Sequence, residues 1–457
     1  MNESLENKIE NKEIGLEEII SEAKANVAKT IDALEALNIH VPERHNVLVP
    51  GTPTTPEKSE SLLHEAVTED GEVGIYLGVT VCPYICKFCR YYNRTGPMKD
   101  LEKMAADEVG DVIGEMEIVN KKLNLTSKPK ASSVYIGGGT PTLMSSDSNE
   151  KLFQTLKQNY KIDADTEISM ECTPDTLTEE KLKALKNFGV NRISMGVQRL
   201  DDEWLKSMNR RHSVQDVFDT LELLGGKGVN FNVDLIYGFE GQTIESFCED
   251  LEKILKYSPT EITLYRFENQ KRTDDRDIKV QRSERNTAYI MQEAGRIILT
   301  KAGYTEGPDG WFTKKGAKKA TVYEDRWNKQ IPLIGFGPEA YSYSKYQQHT
   351  NKPFRQYKEA ISKKEMPLDK ERIFEYQRTQ KEIRRMVFEL KSRFETSYDQ
   401  SHESFFESLS TQGLGEIKNN EGNKIFKLSK HGIIAVEEIM RVLVEESEKI
   451  SGTESAK

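Results

Sequence analysis

The chain has 457 residues, of which 36% are hydrophobic and 31% charged, and its net charge is −10. This length allows two or three domains with a large buried core. The acidic balance argues against a nucleic-acid partner, because the field of the whole chain repels phosphate. No apolar run approaches the roughly 20 residues of a membrane-spanning helix, and the N-terminus lacks the basic and then apolar order of a signal peptide. We therefore expect a cytoplasmic protein with no membrane contact.

The predicted elements change character near residue 70. Apolar residues at helical spacing between Ile19 and Leu37 predict a charged helix within residues 1–70, which we interpret as a lead-in element. From residue 73, short β-branched and aromatic runs alternate with amphipathic stretches. The predicted strands are 73–79, 132–138, 167–172, 192–197, 230–238 and 261–266. The predicted helices are 101–122, 148–158, 178–188, 214–226, 244–256 and 283–302.

Six strand-then-helix units predict an α/β fold with a parallel sheet over residues 71–302. Six units are too few to close an eight-stranded barrel, so an open partial barrel or a doubly wound sheet is expected, with ligands at the carboxyl ends of the strands. Residues 303–370 are irregular, and their turn at Gly335–Pro338 is expected to cap one mouth of the sheet. Residues 371–457 are helical and charged and end in a strand-turn-helix pattern, which predicts a small α-rich accessory domain.

Three of the five cysteines, Cys82, Cys86 and Cys89, fall within eight positions after the first predicted strand. Three thiolates on one loop can hold three irons of a [4Fe-4S] cluster, and the missing fourth ligand leaves one iron open to a small molecule. A closed zinc site needs a fourth protein ligand, whereas Cys172 and Cys248 are isolated along the chain. A dithiol redox pair would leave Cys82 without a role. The spacing favours an iron–sulfur cluster.

Other candidate residues lie where predicted strands end. The run Gly137–Gly139 lets a ligand approach the backbone closely, although a plain turn also uses glycine. Glu171 ends the third strand, where a carboxylate can accept both hydroxyls of a ribose. Arg210 follows the fourth strand, and Asp234 lies in the apolar fifth. A ligand contact and a mutual salt bridge are the two interpretations of this last pair.

These motifs resemble the radical S-adenosylmethionine (SAM) superfamily, whose signature is C-x3-C-x2-C with an aromatic residue before the last cysteine, here Phe88. Three segments are similar to the oxygen-independent coproporphyrinogen III oxidase, or HemN-like, group: YIGGGTPT at 135–142, SMGVQ at 194–198 and NVDLIYG at 232–238. The resemblance covers about residues 73–360. It implies a partial (β/α)6 radical SAM barrel with a HemN-like accessory domain at the C-terminus.

The resemblance also implies cofactors and their contacts. Cys82, Cys86 and Cys89 would ligate a [4Fe-4S] cluster, and two SAM molecules would bind. The expected contacts of the first SAM, which chelates the open iron, are Tyr76, Gly138, Glu171 and Tyr341. The expected contacts of the second SAM are Phe88, Gly139, Thr140, Gln198, Arg210, Asp234 and Glu268. The implied chemistry is electron transfer into SAM to give a 5′-deoxyadenosyl radical, with flavodoxin or ferredoxin as the reducing donor.

The sequence departs from the oxidase pattern at Tyr91, where the oxidase carries another cysteine two residues after the third cluster ligand. Relatives on the same scaffold include radical C-methyltransferases, cyclopropane-forming enzymes, anaerobic haem-opening enzymes and a haem chaperone. The leading expectation is a carbon-centred radical reaction on a tetrapyrrole or another small molecule, with C-methyl transfer ahead of oxidative decarboxylation. A haem-binding delivery protein is the alternative, with His45, His64 and His212 as nominal axial ligands. The sequence identifies no catalytic acid or base.

Overall fold

The computed structural model of the chain describes residues 15–39, 49–268, 280–318, 320, 329–420 and 423–454. Its helices are α1 (Leu16–Ala36), α2 (Pro56–Asp70), α3 (Met98–Leu123), α4 (Ser146–Asn159), α5 (Glu179–Phe188), α6 (Asp202–Ser207), α7 (Val214–Gly226), α8 (Ile244–Leu255), α9 (Arg285–Lys301), α10 (Phe354–Ser362), α11 (Arg378–Arg393), α12 (Glu403–Thr411), α13 (Lys430–Ile434) and α14 (Val436–Glu454). Its strands are β1 (Thr52–Pro53), β2 (Glu72–Val79), β3 (Lys130–Gly138), β4 (Glu167–Cys172), β5 (Arg192–Gln198), β6 (Asn230–Tyr237), β7 (Glu261–Arg266), β8 (Tyr304–Glu306), β9 (Trp311–Lys314), β10 (Leu333–Phe336), β11 (Tyr341–Tyr343), β12 (Gln347–Asn351), β13 (Leu368–Glu375), β14 (Glu395–Tyr398), β15 (Gly415–Asn420) and β16 (Asn423–Leu428).

Within the described chain, thirteen strands form one sheet in the order β1-β13-β12-β11-β10-β2-β3-β4-β5-β6-β7-β9-β8. The central strands β2 to β7 run parallel, and each pairs with the next along the chain. β10 adds a parallel strand beside β2, while the outer strands on both sides pair antiparallel. The carboxyl ends of β2 to β7 therefore lie along one edge. We call this edge the mouth, and it comprises residues 79–82, 138–140, 172–173, 198–199, 237–239 and 266–268.

The sequence predictions locate the central sheet closely. Strands β4 and β7 have the predicted bounds, and the other four central strands differ by at most two residues at either end. These strands are recognisable because every second residue is apolar and belongs to the same hydrophobic core as the crossover helices. In β2, for example, Val73, Ile75 and Leu77 are fully buried. The predicted α/β fold of a partial radical SAM-type barrel is confirmed.

Four of the crossover helices begin at side-chain caps that the sequence carries. Ser145, Thr178, Ser213 and Thr243 are the N-cap residues of α4, α5, α7 and α8, and each side chain accepts a hydrogen bond from a backbone N–H three residues later. Such a cap satisfies an otherwise unpaired N–H group and contributes about 1 kcal/mol. The caps therefore set where each helix starts and how far each mouth loop extends.

Residues 303–370 contribute more to the sheet than the sequence predicts. They supply β8 and β9 to one edge and β10 to β12 to the other, and Leu333–Phe336 overlaps the predicted turn yet runs parallel to β2. Strands β8 to β12 are only three to five residues long, so they show little alternation for a pattern to detect. The domain boundaries and the capping role of this region remain predictions.

The C-terminal part forms a second core, to which Leu34 of α1 also contributes. β14, β16 and β15 form a three-stranded antiparallel sheet, and Met386, Phe406 and Leu443 from three helices are fully buried beside it. The predicted strand-turn-helix pattern is observed as β16 followed by α13 and α14. The N-terminal helix α1 is tied to α9, where Asn26 Nδ2 donates to Glu293 Oε1 at 2.7 Å. Among the described helices, none combines the length and apolar content needed to cross a bilayer.

Candidate functional site

The three clustered cysteines lie on a loop from Thr80 to Arg94, here called the cluster loop, that leaves the carboxyl end of β2. The Cys82 N–H donates to the Arg94 carbonyl at 2.8 Å, and the Arg94 N–H donates to the Thr80 carbonyl at 2.9 Å. Buried Glu108 on α3 accepts from the Thr80 N–H at 2.6 Å and also pairs with the Arg94 guanidinium. These bonds join the two ends of the loop and anchor them to the barrel.

Each cysteine of the cluster loop has its own hydrogen-bond donor. The donor-to-sulfur distances are 3.6 Å from Thr140 Oγ1 to Cys82 Sγ, 3.8 Å from Arg210 Nη1 to Cys86 Sγ and 3.0 Å from Asn93 Nδ2 to Cys89 Sγ. Burial raises the pKa of Cys82 to about 12 and also raises the pKa of Cys86. A bound metal cation would replace the proton, and the three donors would then stabilise the negative sulfurs.

The grouping of the thiols bears on which metal they can hold. In the part of the chain that the structure describes, no three His, Cys, Asp or Glu side chains are placed to share one metal ion. A [4Fe-4S] cluster makes a different demand, because each of the three thiolates binds a separate iron. Asn93 was not predicted from the sequence. The feature that could have indicated it is its position as a polar residue four places after Cys89 within the same loop.

Glu171 is the centre of the residues expected to contact the first SAM. Its Oε1 accepts from Tyr135 Oη at 2.8 Å, and its Oε2 accepts from the Gly138 N–H at 3.0 Å. Burial, reinforced by the nearby carboxylate of Asp234, raises the pKa of Glu171 to about 7. A Cβ on Gly137 would lie 2.7 Å from the Glu171 carboxyl, so a side chain there would displace this carboxyl from its present position.

Tyr76 completes this group. Its ring stacks on Tyr135 with 6.2 Å between centroids, and its hydroxyl lies 3.1 Å from where a Cβ of Gly138 would stand. The structure thus brings Tyr76, Gly138 and Glu171 together at the mouth. Tyr341 lies farther along the sheet on β11, two strands from Tyr76, and donates its hydroxyl to Gln348 Oε1 at 2.5 Å. The roles of all four as SAM contacts remain predictions.

Arg210 and Asp234, expected to contact a second SAM, have separate partners. Arg210 Nη2 donates to the Gly196 carbonyl at 2.5 Å. Asp234 accepts from Asn232 Nδ2 at 2.7 Å and from Ser194 Oγ at 3.3 Å. Among the ion pairs of the described residues none joins the two, so the mutual salt bridge weighed from the sequence is wrong.

Four buried polar atoms around the cluster loop have no hydrogen-bond partner within the described chain. They are Asn93 Oδ1, Gln198 Oε1, Arg210 Nε and His212 Nε2. An unsatisfied buried polar group costs about 1–3 kcal/mol, so such groups call for a ligand or water. Two of the four, Gln198 and Arg210, belong to the set expected to contact SAM. The donor set and these atoms fit a cluster with a polar cofactor beside it.

The other predicted contacts of a second SAM surround the cluster loop. Phe88 stacks on Trp204 with centroids 5.8 Å apart, which fixes the aromatic residue before Cys89. The Gly139 N–H donates to the Val79 carbonyl at 2.7 Å, and the Thr140 N–H donates to the Val81 carbonyl at 2.8 Å. These bonds hold the end of β3 against the start of the loop. Glu268 follows β7 at the same edge of the sheet.

Of the three histidines considered as axial haem ligands, the two that the structure describes lie apart. His45 lies outside the described residues. His64 Nδ1 is 2.6 Å from the Leu123 carbonyl, on the side of the barrel occupied by α2 and α3. His212 is buried beside Tyr84 of the cluster loop, 3.4 Å from its hydroxyl, and burial lowers its pKa to about 3. His212 is therefore neutral, and of the two described histidines it is the one that lies beside the cluster loop.

An exposed aromatic surface borders the mouth. Tyr91 and Tyr265 are 57% and 38% exposed, and they are among the most exposed large apolar side chains of the described chain. The Arg90 guanidinium lies 5.2 Å from the Tyr91 ring centroid. Burial lowers the pKa of Arg90, but nearby Tyr91, Glu268 and Tyr265 raise it overall. We call Arg90, Tyr91 and Tyr265 the aromatic rim.

Comparisons with known proteins agree with this geometry. A family model described as the Radical SAM superfamily matches residues 76–254, which include all three cysteines of the cluster loop. The heme chaperone HemW of Buchnera aphidicola subsp. Schizaphis graminum is 28% identical over 232 residues, which are 51% of this chain and 60% of that protein. The heme chaperone HemW of Bacillus subtilis is 28% identical over 368 residues, which are 76% of this chain and 93% of that protein.

A solved structure shares the fold over nearly the whole chain. Coproporphyrinogen III oxidase (HemN) from Escherichia coli, a radical SAM enzyme, superposes with a TM-score of 0.73 at 20% sequence identity. The match covers 90% of this chain and 98% of that one. It therefore includes the C-terminal part as well as the barrel.

Proposed function

We propose that this chain, which belongs to the HemN-like family of the radical SAM superfamily, is a haem-binding protein that carries a [4Fe-4S] cluster and SAM at the mouth of its barrel. The observation that carries the haem part is the aromatic rim, because exposed aromatic rings beside a cofactor site suit the flat face of a macrocycle. Tyr91, which stands where the oxidase has a cysteine, is part of that rim. The heme chaperones among the relatives support the same conclusion.

This conclusion places haem binding ahead of methyl transfer, which was the leading expectation from the sequence. Cys82, Cys86 and Cys89 would hold the cluster, and Tyr76, Gly138 and Glu171 would orient SAM on its open iron. Thr140, Arg210 and Asn93 would stabilise the charge on the three sulfurs. When bound, the cluster and SAM supply radical chemistry that begins with one-electron reductive cleavage of SAM.

The test is an anaerobic titration of the reconstituted protein with haem, followed by the Soret absorbance. The wild-type chain should show saturable binding. Tyr91→Ala and Tyr265→Ala should each weaken it about tenfold, because an aromatic stacking contact is worth about 1.4 kcal/mol. Tyr346→Ala, which removes a half-buried tyrosine bonded to Glu69 away from the mouth, should bind as the wild type does. A wild-type chain that does not change the Soret band would contradict the proposal.

Radical chemistry on the bound tetrapyrrole is the second candidate. The observation that favours it is the set of three separate donors on the three cluster-loop sulfurs, because a protein that only carried haem would not need to tune a cluster. Incubation with haem, methyl-labelled SAM and a reductant such as flavodoxin should then form 5′-deoxyadenosine. Label in the tetrapyrrole would restore methyl transfer, whereas no SAM cleavage in any mixture would leave haem binding as the function.

A further inference from the structure

Helix α3 carries two buried glutamates, Glu108 and Glu115, seven residues apart. Seven residues are close to two helical turns, so both side chains leave the same face of the helix. Each accepts a hydrogen bond from a backbone N–H beside the carboxyl end of β2, Glu108 from Thr80 at 2.6 Å and Glu115 from Gly337 at 2.7 Å. Glu108 thereby holds the cluster loop. The role of Glu115 is not explained by the cluster loop.

Glu115 accepts three hydrogen bonds, all from neutral groups. Its Oε2 accepts from the Gly337 N–H and from Tyr357 Oη, both at 2.7 Å, and its Oε1 accepts from Asn351 Nδ2 at 2.7 Å. Burial raises the pKa of Glu115 to about 8. The Tyr357 hydroxyl can accept as well as donate, so all three contacts are compatible with both the charged and the protonated carboxyl group. The arrangement therefore does not depend on the charge of Glu115.

These contacts fix the turn between β10 and β11, residues 337–340, here called the β10–β11 turn. Asn351 Nδ2 also donates to the Gly337 carbonyl at 2.9 Å, so both the N–H and the carbonyl of Gly337 are held. At the other end of the turn, the Asn351 N–H donates to the Ala340 carbonyl at 2.8 Å. Glu115 therefore holds the turn directly and also through Asn351.

The β10–β11 turn packs against the carboxyl end of β2, where the cluster loop begins. A Cβ on Gly337 would lie 2.4 Å from the Gly78 carbonyl oxygen, and a Cβ on Gly78 would lie 3.3 Å from the Tyr76 ring. The turn thus reaches Tyr76 through Gly78. It also leads directly into Tyr341, the first residue of β11. The turn therefore adjoins two of the residues expected to contact the first SAM.

The carboxyl group of Glu115 contributes geometry more than stability. A buried hydrogen-bonded group adds little net stability, because apolar groups of the same shape can replace both partners at nearly no loss. A carboxyl group offers two acceptor oxygens in one plane, whereas an amide offers one oxygen and an NH₂ group. In Glu115→Gln, either the Gly337 N–H or Asn351 Nδ2 would face that NH₂ group. Both of these partners hold the β10–β11 turn.

We propose that Glu115 is a positioning residue for the first SAM. It holds the β10–β11 turn against the end of β2 and thereby fixes the relative positions of Tyr76 and Tyr341. Since Glu108 holds the cluster loop in the same way, one face of α3 supports both the cluster and the cofactor on its open iron. This inference rests on the proposed function, in which SAM binds to the cluster at the mouth.

The experiment measures SAM affinity of the cluster-loaded protein by calorimetry and amide hydrogen exchange of residues 337–341 in the protein without its cluster. Glu115→Gln should weaken SAM binding about tenfold and speed exchange in the turn about tenfold, because two donors then oppose each other. Tyr357→Phe is the matched control. It removes a donor to the same carboxyl group but keeps the contacts with Gly337 and Asn351, so SAM affinity and exchange should equal those of the wild type.

Two further measurements separate positioning from stability. Both variants should unfold at a lower urea concentration than the wild type, since each disturbs a buried hydrogen bond. SAM should shift the electron paramagnetic resonance signal of the reduced cluster in the wild type and in Tyr357→Phe at a concentration that leaves Glu115→Gln unshifted. Asn351→Ala releases the Gly337 carbonyl and should reproduce the losses of Glu115→Gln, so it carries the test if that variant does not fold.

Wild-type SAM affinity in Glu115→Gln would overturn the inference. An equal loss of affinity in Glu115→Gln and Tyr357→Phe would also overturn it, because the effect would then follow stability alone. A wild-type chain that binds no SAM would instead overturn the SAM part of the proposed function. Unchanged exchange of residues 337–341 in Glu115→Gln would in that case also overturn the hold of Glu115 on the turn.

Discussion

An ion pair at the amino ends of the central strands and two polar side chains at the carboxyl ends differ in how their buried polar atoms are satisfied. At the amino ends, Arg192 of β5 donates to Glu261 of β7 through Nε at 2.8 Å and through Nη2 at 2.6 Å. The other oxygen of Glu261 accepts from the Ala320 N–H at 2.9 Å. At the carboxyl ends, Gln198 and Arg210 each keep a buried polar atom without a partner in the described chain.

The contrast is clearest along β5, which begins with Arg192 and ends with Gln198. The same strand thus carries a charge whose partners belong to the protein and an amide whose oxygen is unsatisfied. Removing one partner of the buried ion pair would leave the other charge unpaired, whereas an unsatisfied group at the mouth is one that a ligand could satisfy. Substitutions at the two ends should therefore affect different properties.

The largest effect is expected from Cys89→Ala at the mouth. It should abolish the cluster, reducing the iron content of the anaerobically reconstituted protein from about four per chain to background, because a cluster needs its third thiolate. Iron analysis and electron paramagnetic resonance would measure the loss. Cys248→Ala, which changes a buried thiol on α8, should retain the cluster. Full iron in Cys89→Ala would refute the assignment.

Arg192→Leu at the amino end should instead destabilise the fold. It leaves Glu261 buried without its cation, which costs about 3–5 kcal/mol in the free energy of unfolding. Urea denaturation followed by circular dichroism would measure this loss, and the double variant R192L/E261L should lose less than R192L alone. If Arg192→Leu lowered the free energy of unfolding by less than about 1 kcal/mol, the proposed difference between the two ends of the strands would be contradicted.

Glu171→Gln should weaken SAM binding to the cluster-loaded protein by about tenfold, because a charged acceptor becomes a neutral one. The wild-type affinity should also depend on pH. The pKa of Glu171 is about 7, so its acceptor charge is present above that pH and is lost as the pH falls below it. Calorimetry near pH 6 and pH 8 should show weaker wild-type binding at the lower pH and little change in the variant. Equal SAM affinity of the wild type at both pH values would contradict this role of Glu171.

Asn93→Leu should have the smallest effect, on the potential of the cluster and not on its assembly. Removing the donor 3.0 Å from Cys89 Sγ disfavours the more negative reduced state. The midpoint potential should fall by about 60 mV, which corresponds to about 1.4 kcal/mol for one electron. A redox titration without SAM would measure it. As a control, Asn209→Gly removes a donor to the Ile85 carbonyl of the cluster loop and should leave the midpoint potential unchanged. A shift of the potential in Asn209→Gly but not in Asn93→Leu would contradict the role given to Asn93.

Much of the fold and part of the site follow from local patterns in the sequence. The apolar runs of the central strands and the caps of the crossover helices are short-range signals, so six strands and their helices could be located from them. The spacing of Cys82, Cys86 and Cys89 is equally local, and it indicates a cluster loop. Gly138 and Glu171 could be placed at one edge because parallel strands end together, whereas Tyr76 was expected there only from the family resemblance.

Other features depend on contacts between distant parts of the chain. Only the tertiary structure shows that Arg210 donates to Cys86 and not to Asp234, since either partner is compatible with the sequence. The same holds for β10, which inserts beside β2 from more than 250 residues away. The periodicity of a sequence indicates on which face of its own helix or strand a residue lies. Tertiary packing decides which side chain from another part of the chain contacts that residue.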